Sequence, residues 1–209
     1  MKEVWLIRHG ETEWNAKRRF QGHLDVPLSP VGIGQAFRLA QRLAKSRQAF
    51  DGLHASDLRR ARETAEPLAA VLGLTLNTSP LLREIDVGAL AGLSREEAEA
   101  RYPEFVQRAL RDPWNTSRPG GESMADLAKR LKDFLEGLPP GRHLLVTHGG
   151  VIRAALKLAL DLEGEAWRRF HIPNTSITRI LFPSLEVLCV SDAGHLETWS
   201  DWLSDESLQ

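Results

Sequence analysis

Val-Trp-Leu-Ile-Arg-His-Gly-Glu-Thr-Glu-Trp-Asn, at residues 4–15, is the stretch that decides the fold of this chain. It opens with four apolar residues, and a run of this kind is typical of a short buried strand. Arg8 and His9 follow directly, and Gly10 lets the chain turn sharply away. In an open α/β sheet, ligands bind beyond the carboxyl ends of the strands. A cation and an imidazole in that position therefore predict an anion site.

The same arrangement recurs later in the chain. His-Leu-Leu-Val-Thr at residues 143–147 predicts a second buried strand, and His148 follows it with two glycines. If the crossover connections are right-handed, the two strands can lie side by side in the middle of the sheet. We therefore expect His9 and His148 to meet at one edge of the sheet.

Helical periodicity alternates with short apolar runs along most of the chain. Ser56 and Asp57 have the character of N-cap residues for the second predicted helix. The predicted helices cover residues 30–45, 58–72, 94–101, 124–138 and 151–159. The predicted strands cover residues 4–7, 53–55, 74–76, 143–147, 176–182 and 186–190. This alternation predicts an α/β fold, a three-layer sandwich with a mainly parallel central sheet flanked by helices.

The length of 209 residues suits one domain with a sizeable core, spanning residues 1–209. Glycines and prolines interrupt residues 85–119, which we interpret as a small helical lid or specificity insertion. Residues 195–209 are polar and acidic apart from two tryptophans, and we interpret them as a docked C-terminal tail.

Composition narrows the class of protein. A net charge of -1 argues against a general nucleic-acid binder, and no apolar run approaches the length of a membrane span. Without a signal-peptide pattern, and with Cys189 as the single cysteine, the predicted location is cytoplasmic. Four histidines outside the strand ends lack the spacing of metal ligands, so no metal site is predicted. These are His23, His54, His143 and His171.

Four basic side chains favour a phosphoryl group. Arg8, His9 and His148 lie at predicted strand ends, and Arg60 lies in the first turn of a predicted helix, where the helix dipole adds to its charge. Fixed cations around a phosphoryl group supply most of what its transfer needs. Taken alone, Arg60 reads equally well as a surface cation and each histidine as structural. The repeat of the strand, histidine and glycine arrangement favours the functional interpretation.

Four motifs together resemble the signature of the histidine phosphatase superfamily, also called the phosphoglycerate mutase-like family. They occur in family order and cover most of the chain. The motifs are Leu-Ile-Arg-His-Gly-Glu-Thr at residues 6–12 with Asn15, Ser-Asp-Leu-Arg-Arg-Ala-Arg-Glu-Thr-Ala at 56–65, Leu-Arg-Glu at 82–84 with Gly88 and Gly92, and Val-Thr-His-Gly-Gly at 146–150.

The resemblance implies roles for these residues. His9 would attack phosphorus and form a phosphohistidine, while Glu84 would protonate the leaving oxygen and later deprotonate water. Arg60 is preferred to Arg59 because the arginine directly before alanine is the family's phosphate ligand. By itself, Glu84 also reads as part of a solvated charged turn. The implied phosphate ligands are Arg8, Arg60 and His148, with Asn15, Gln21, Gly22 and Gly149 adding contacts, and neither a metal nor a cofactor is implied.

Within the family, the sequence favours a histidine acid-type phosphatase, a phosphoric monoester hydrolase acting on a small phosphorylated metabolite. The cofactor-dependent mutases that the chain resembles carry a longer basic insertion after the acid, whereas residues 94–99 here are acidic on balance. A cofactor-dependent phosphoglycerate mutase is the alternative, and a non-catalytic phosphoryl-binding protein on the same fold is a third. No nucleic-acid or membrane partner is predicted, and the oligomeric state stays open, with a homodimer as one option.

Two further groups have open interpretations. Lys17, Arg18 and Arg19 would either meet a second acidic group of the substrate or be solvated. The lid aromatics would either line a substrate pocket or pack in the core; they are Tyr102, Phe105 and Trp114. Asn174 and Thr175 are placed at the border of the site.

Overall fold

A computed structural model describes residues 1–196 of the chain. Six strands form one mixed sheet. They are Lys2–Arg8 (β1), Gly52–Ser56 (β2), Leu76–Ser79 (β3), Gly141–Thr147 (β4), Ile177–Phe182 (β5) and Val187–Asp192 (β6). The order across the sheet is β3-β2-β4-β1-β5-β6, with β1 to β4 parallel and β5 and β6 added as an antiparallel hairpin. The predicted α/β class, the central position of β1 and the edge hairpin are confirmed.

Seven α-helices accompany the sheet in the described residues. They are Glu13–Ala16 (α1), Pro30–Ser46 (α2), Arg59–Leu72 (α3), Arg95–Arg101 (α4), Pro103–Arg111 (α5), Met124–Gly137 (α6) and Gly149–Ala159 (α7). Helices α2 and α3 cover one face of the sheet, and α6 and α7 cover the other. The three-layer arrangement is therefore confirmed, and none of the helices in residues 1–196 is long and apolar enough to cross a membrane.

Strand β1 is buried on both faces, as its continuous apolar run predicted. Val4 and Leu6 pack in the core beneath α6 and α7, whereas Trp5 and Ile7 pack in the core beneath α2 and α3. This alternation follows from the two-residue period of a strand. Because β1 lies between β4 and β5, its carboxyl end opens at the centre of one edge of the sheet.

The start of α3 differs from the prediction. Strand β2 continues to Ser56, and the N-cap is Leu58, which offers no side-chain hydrogen bond. Asp57 instead binds Arg83 through both carboxylate oxygens, at 2.7 and 2.6 Å. The carboxylate of Asp25 accepts a hydrogen bond from the Arg59 amide at 2.6 Å, so the cap comes from a distant loop.

Three other details differ from the predictions. Strand β3 lies at Leu76–Ser79 rather than 74–76, because its pairing with β2 selects this polar edge segment. Helix α5 was not predicted, since Pro103 suggested a break, but proline suits the first position of a new helix. Two side chains of the predicted apolar face of α2, Ile33 and Phe37, are 47% and 57% exposed.

The predicted lid region holds a 3₁₀ turn at Gly88–Leu90 together with α4 and α5. Its aromatic side chains, Tyr102, Phe105 and Trp114, are partly buried against the core beneath α6 and α7, which favours the packing interpretation. The predicted tail lies outside the described residues except for His195 and Leu196. His195 Nε2 lies 2.8 Å from the Thr175 hydroxyl, beside the site border.

Candidate active site

His9 stands at the carboxyl end of β1, held by its backbone and its ring. Its amide donates to the Thr147 carbonyl of β4 at 2.9 Å, and its carbonyl accepts from Asn174 Nδ2 at 2.9 Å. Its Nδ1 lies 2.7 Å from the Gly10 carbonyl oxygen. Because a carbonyl oxygen only accepts, Nδ1 carries the proton and Nε2 presents its lone pair.

The surroundings of His9 keep its ring neutral. The side chain is only 3% exposed, and burial, followed by the charges of Arg60 and Arg8, lowers its pKa well below 6.5. A neutral imidazole with a free ring nitrogen is the form that can act as a nucleophile.

His148 lies next to His9, as the two strand ends predicted. The ring centroids are 5.1 Å apart, and β1 pairs with β4 in parallel register, with Arg8 opposite Thr147. His148 is fully buried, and neither of its ring nitrogens has a hydrogen-bond partner within residues 1–196. Buried polar atoms normally have partners, so the two nitrogens indicate a ligand position.

Two guanidinium groups border the same space. Arg60 is fully buried and donates to the carbonyl oxygens of Leu24 and Gly22, both at 2.8 Å. Burial lowers the pKa of Arg60 to about 10, so the group stays charged at neutral pH. Arg8 donates to the Ile172 carbonyl at 2.6 Å. The surface interpretation of Arg60 is therefore wrong.

Glu84 lies across from these cations at the start of α7. Its Oε2 accepts from the Gly150 amide at 3.1 Å, and its Oε1 accepts from the Ile85 amide at 2.9 Å. A Cβ on Gly150 would stand 2.2 Å from Glu84 Oε1, so only glycine leaves room for this carboxylate. Glu84 is therefore a half-buried acid at the site rather than part of a solvated turn.

A model of the histidine phosphatase superfamily (branch 1) matches residues 4–190. The chain belongs to the histidine phosphatase superfamily. The family resemblance inferred from the four motifs is thereby confirmed. The superfamily's members include phosphatases and phosphoglycerate mutase-like proteins, so the comparison indicates an enzyme without separating the two activities.

Relatives of this histidine phosphatase chain carry names of both kinds. It is 37% identical over 184 residues to a probable phosphoglycerate mutase, GpmB, of Yersinia pestis, covering 86% of this chain and 85% of the relative. It is 38% identical to the crystal structure of TTHB049 from Thermus thermophilus, with a TM-score of 0.70, covering 91% and 99% of the two chains. It is 32% identical to mycobacterial glucosyl-3-phosphoglycerate phosphatase Rv2419c, with a TM-score of 0.74, covering 85% and 88%.

The remaining predicted site residues of this histidine phosphatase chain mainly support the loop beside His9. Asn15 Oδ1 accepts from the Thr12 amide at 3.0 Å, and Gln21 Oε1 accepts from the Thr12 hydroxyl at 3.1 Å. The Gly22 carbonyl holds Arg60, as described above, and Gly149 is the first residue of α7. Their direct contacts to phosphate stay predictions.

The cationic segment before α2 is largely engaged by carboxylates. Lys17 Nζ lies 3.7 Å from Glu13, and Arg19 Nη1 lies 3.0 Å from Glu97 of α4. These pairs favour the interpretation of Lys17 and Arg19 as surface residues.

Two cations near the site were missed. Arg153 Nη1 lies 3.4 Å from the position that a Cβ on Gly149 would take. In the lid, burial and the charge of Arg168 lower the pKa of Arg118 to about 10, while the charge of Glu84 opposes that shift. The spacing of four residues between Gly149 and Arg153 on one helix could have revealed the first, whereas Arg118 has no local signal.

The lowered pKa of His9 leads to a pH prediction. Because only the neutral ring attacks phosphorus, activity falls on the acid side when His9 takes up a proton, and burial moves that point well below pH 6.5. We expect the enzyme-derived acid limb of kcat/KM to lie below pH 6.5. The measurement is a pH profile with p-nitrophenyl phosphate, corrected for the ionisation of the substrate. An acid limb at or above the ordinary histidine value would contradict this account of His9.

Proposed function

We propose that this protein is a phosphoric monoester hydrolase that acts on a small phosphorylated metabolite through a phosphohistidine at His9, without a metal. The observation that carries the proposal is the pairing of a neutral, buried His9 whose Nε2 is free with a carboxylate, Glu84, held at the start of α7. The two groups have complementary roles, since one donates an electron pair and the other transfers protons.

The chemistry would proceed in two steps. His9 Nε2 attacks phosphorus, the ester P–O bond breaks, and the protonated Glu84 gives its proton to the leaving oxygen. Glu84 then takes a proton from water, the water oxygen attacks phosphorus, and the P–N bond breaks to release phosphate. Throughout, Nδ1 keeps its hydrogen bond to the Gly10 carbonyl, which fixes the ring.

The cations supply the electrostatic part of catalysis. Arg8 and Arg60 would bind the equatorial phosphoryl oxygens, and the two ring nitrogens of His148 lie in the same space. Arginine is suited to this role because its planar fork matches phosphate and stays charged. This residue set, rather than a metal ion, would neutralise the charge of the transition state.

The lid supports hydrolysis rather than mutase activity. Helix α4 begins with a capping box between Ser94 and Glu97, and its first turn carries Glu96 and Glu97. An acidic helix in the lid disfavours a second, bisphosphorylated substrate because like charges repel. A cytoplasmic location and a small-molecule partner stay predictions.

The proposal is tested by hydrolysis of p-nitrophenyl phosphate in the presence of a chelator. We expect the rate to be the same with and without EDTA, because His9, Glu84 and the cations complete the site. Loss of activity that returns on adding a divalent metal would overturn the metal-independent mechanism. No hydrolysis under either condition would favour the non-catalytic alternative.

A second measurement separates the phosphatase from the mutase. With 3-phosphoglycerate and 2,3-bisphosphoglycerate, we expect release of inorganic phosphate to be faster than isomerisation. The reverse ranking would assign the chain to the mutases. A screen of phosphorylated metabolites ranked by kcat/KM would then identify the substrate.

A further inference from the structure

The carboxylate of Glu84 depends on a loop without regular structure. Its chain segment runs between two 3₁₀ turns, Pro80–Leu82 and Gly88–Leu90. Helices and strands hold catalytic groups more firmly than loops do. The position of Glu84 therefore depends on what fixes residues 83–87.

One guanidinium group fixes the peptide of Glu84 itself. Arg130 of α6 donates from Nη2 to the Glu84 carbonyl at 2.9 Å and from Nη1 to the Leu81 carbonyl at 2.8 Å. His23 Nε2 also lies 2.9 Å from the Glu84 carbonyl oxygen. A single rigid fork thus holds the chain on both sides of the turn that precedes the acid.

Glu122 orients this guanidinium. It accepts from Arg130 Nε at 2.9 Å and from Arg130 Nη2 at 3.0 Å, a two-point contact that sets the plane of the fork. Burial raises the pKa of Glu122, but the hydrogen bond from Arg130 outweighs it and the pKa is lowered. The pair is therefore ionised at neutral pH.

Glu122 also holds the chain after the acid. Its Oε2 accepts from the Asp86 amide at 2.9 Å, and its own amide donates to the Asp86 carbonyl at 2.8 Å. A Cβ on Gly121 would stand 2.3 Å from the Asp86 oxygen, so glycine is needed for this close approach. The Gly-Gly-Glu-Ser turn before α6 is thus a clamp on the Glu84 segment as well as a helix start.

We propose that Glu122 and Arg130 are positioning residues for Glu84, which hold the carboxylate in line with the oxygen that leaves phosphorus. The inference rests on the proposed function, since it requires Glu84 to be the proton donor. Neither side chain has to touch the substrate. Together they fix the backbone of the acid segment at residues 84 and 86.

The identity of the leaving group gives a readout specific to this role. An alkoxide needs a proton as it leaves, whereas p-nitrophenolate is a stable anion and needs little help. Misplacing Glu84 should therefore slow an alkyl phosphate more than p-nitrophenyl phosphate. A general loss of structure or of phosphate binding would slow both substrates alike.

The experiment compares Glu122→Gln, Arg130→Lys and Glu84→Gln with glycerol 2-phosphate and p-nitrophenyl phosphate. For the two positioning variants we expect kcat/KM for the alkyl phosphate to fall by roughly 10- to 100-fold, because small displacements of a catalytic group have effects of this size. The rate with p-nitrophenyl phosphate should fall by about threefold or less. Glu84→Gln should show the same selectivity in stronger form.

Glu3→Gln is the matched control. Glu3 forms ion pairs with Arg142 at 2.8 Å and Arg179 at 2.6 Å near the opposite end of β1, and its side chain is similarly buried. We expect this variant to lose thermal stability without a change in the ratio of the two substrates. The control separates a lost ion pair from a misplaced acid.

The outcomes distinguish this inference from the proposed function. If Glu84→Gln is selective for the alkyl phosphate but both positioning variants slow the two substrates equally, the positioning role is wrong and the acid role of Glu84 stands. If Glu84→Gln itself slows both substrates equally, the acid role is wrong and the inference fails with it. Arg130→Lys keeps the charge and Glu122→Gln keeps the shape, so each provides a second reading if the other fails to fold.

Discussion

Replacing His9 with alanine is expected to abolish hydrolysis, lowering kcat on the order of 10⁴-fold or more, the scale on which enzymes lose activity with their nucleophile. The reason is geometric and electronic. The ring is buried, neutral and fixed through Nδ1, so Nε2 is the atom that would bond to phosphorus. The measurement is steady-state hydrolysis of p-nitrophenyl phosphate. A second measurement is ³²P labelling of the protein, quenched in alkali, in which phosphohistidine survives.

His54→Gln is the control for this experiment. His54 lies on β2 of the same sheet, and burial, followed by the charge of His143, lowers its pKa as well. It is outside the site, so both activity and labelling should persist in this variant. An unchanged rate in His9→Ala, or a label that survives there, would remove His9 as the nucleophile.

Replacing Arg60 with methionine is expected to have the second-largest effect. We expect kcat/KM to fall by roughly 10²- to 10³-fold, the usual result of removing one charged or hydrogen-bonding group that stabilises a transition state. Anion binding should be lost too. In the wild type, inorganic phosphate at about 100 times its Kd should stabilise the fold by about 2.7 kcal/mol. That stabilisation should be largely absent in the variant, as measured by thermal unfolding with and without phosphate.

Arg59→Met provides the matched control, one residue earlier on α3. Arg59 is 53% exposed in its side chain and pairs with Glu63 at 2.6 Å, so its loss should leave activity and phosphate-induced stabilisation unchanged. The comparison also tests the choice of Arg60 over Arg59 that was made from the motif. If Arg59→Met loses phosphate binding and Arg60→Met keeps it, that choice is wrong.

Much of the fold could be predicted because its signals are local. Ser29 and Ser123 cap α2 and α6 through hydrogen bonds within the first turn, so a few adjacent residues identify each start. Gly73 ends α3 in the left-handed conformation for the same local reason. Where the partner lies far away in the sequence, as Asp25 does for the start of α3, the prediction was wrong.

The candidate site shows the same division. The motifs selected Arg8, His9, Arg60 and His148, and the structure gathers all four at one edge of the sheet. The Gly-Gly-Glu-Ser stretch was noticed but interpreted only as a turn. Its contact with Glu84 runs through Arg130, 46 residues along the chain from the acid, and no local pattern indicates a contact over that separation.

The sequence by itself determined the strand at residues 4–7, the histidine that ends it and its repetition at His148, because apolar runs and strand ends are properties of neighbouring residues. Tertiary structure alone decided that β1 and β4 lie side by side in register, which places the two rings 5.1 Å apart. It also decided the burial of Arg60, which keeps its charge away from water and beside His9. Strand pairing and burial depend on the whole chain, since each is set by the competition among all segments for the same core.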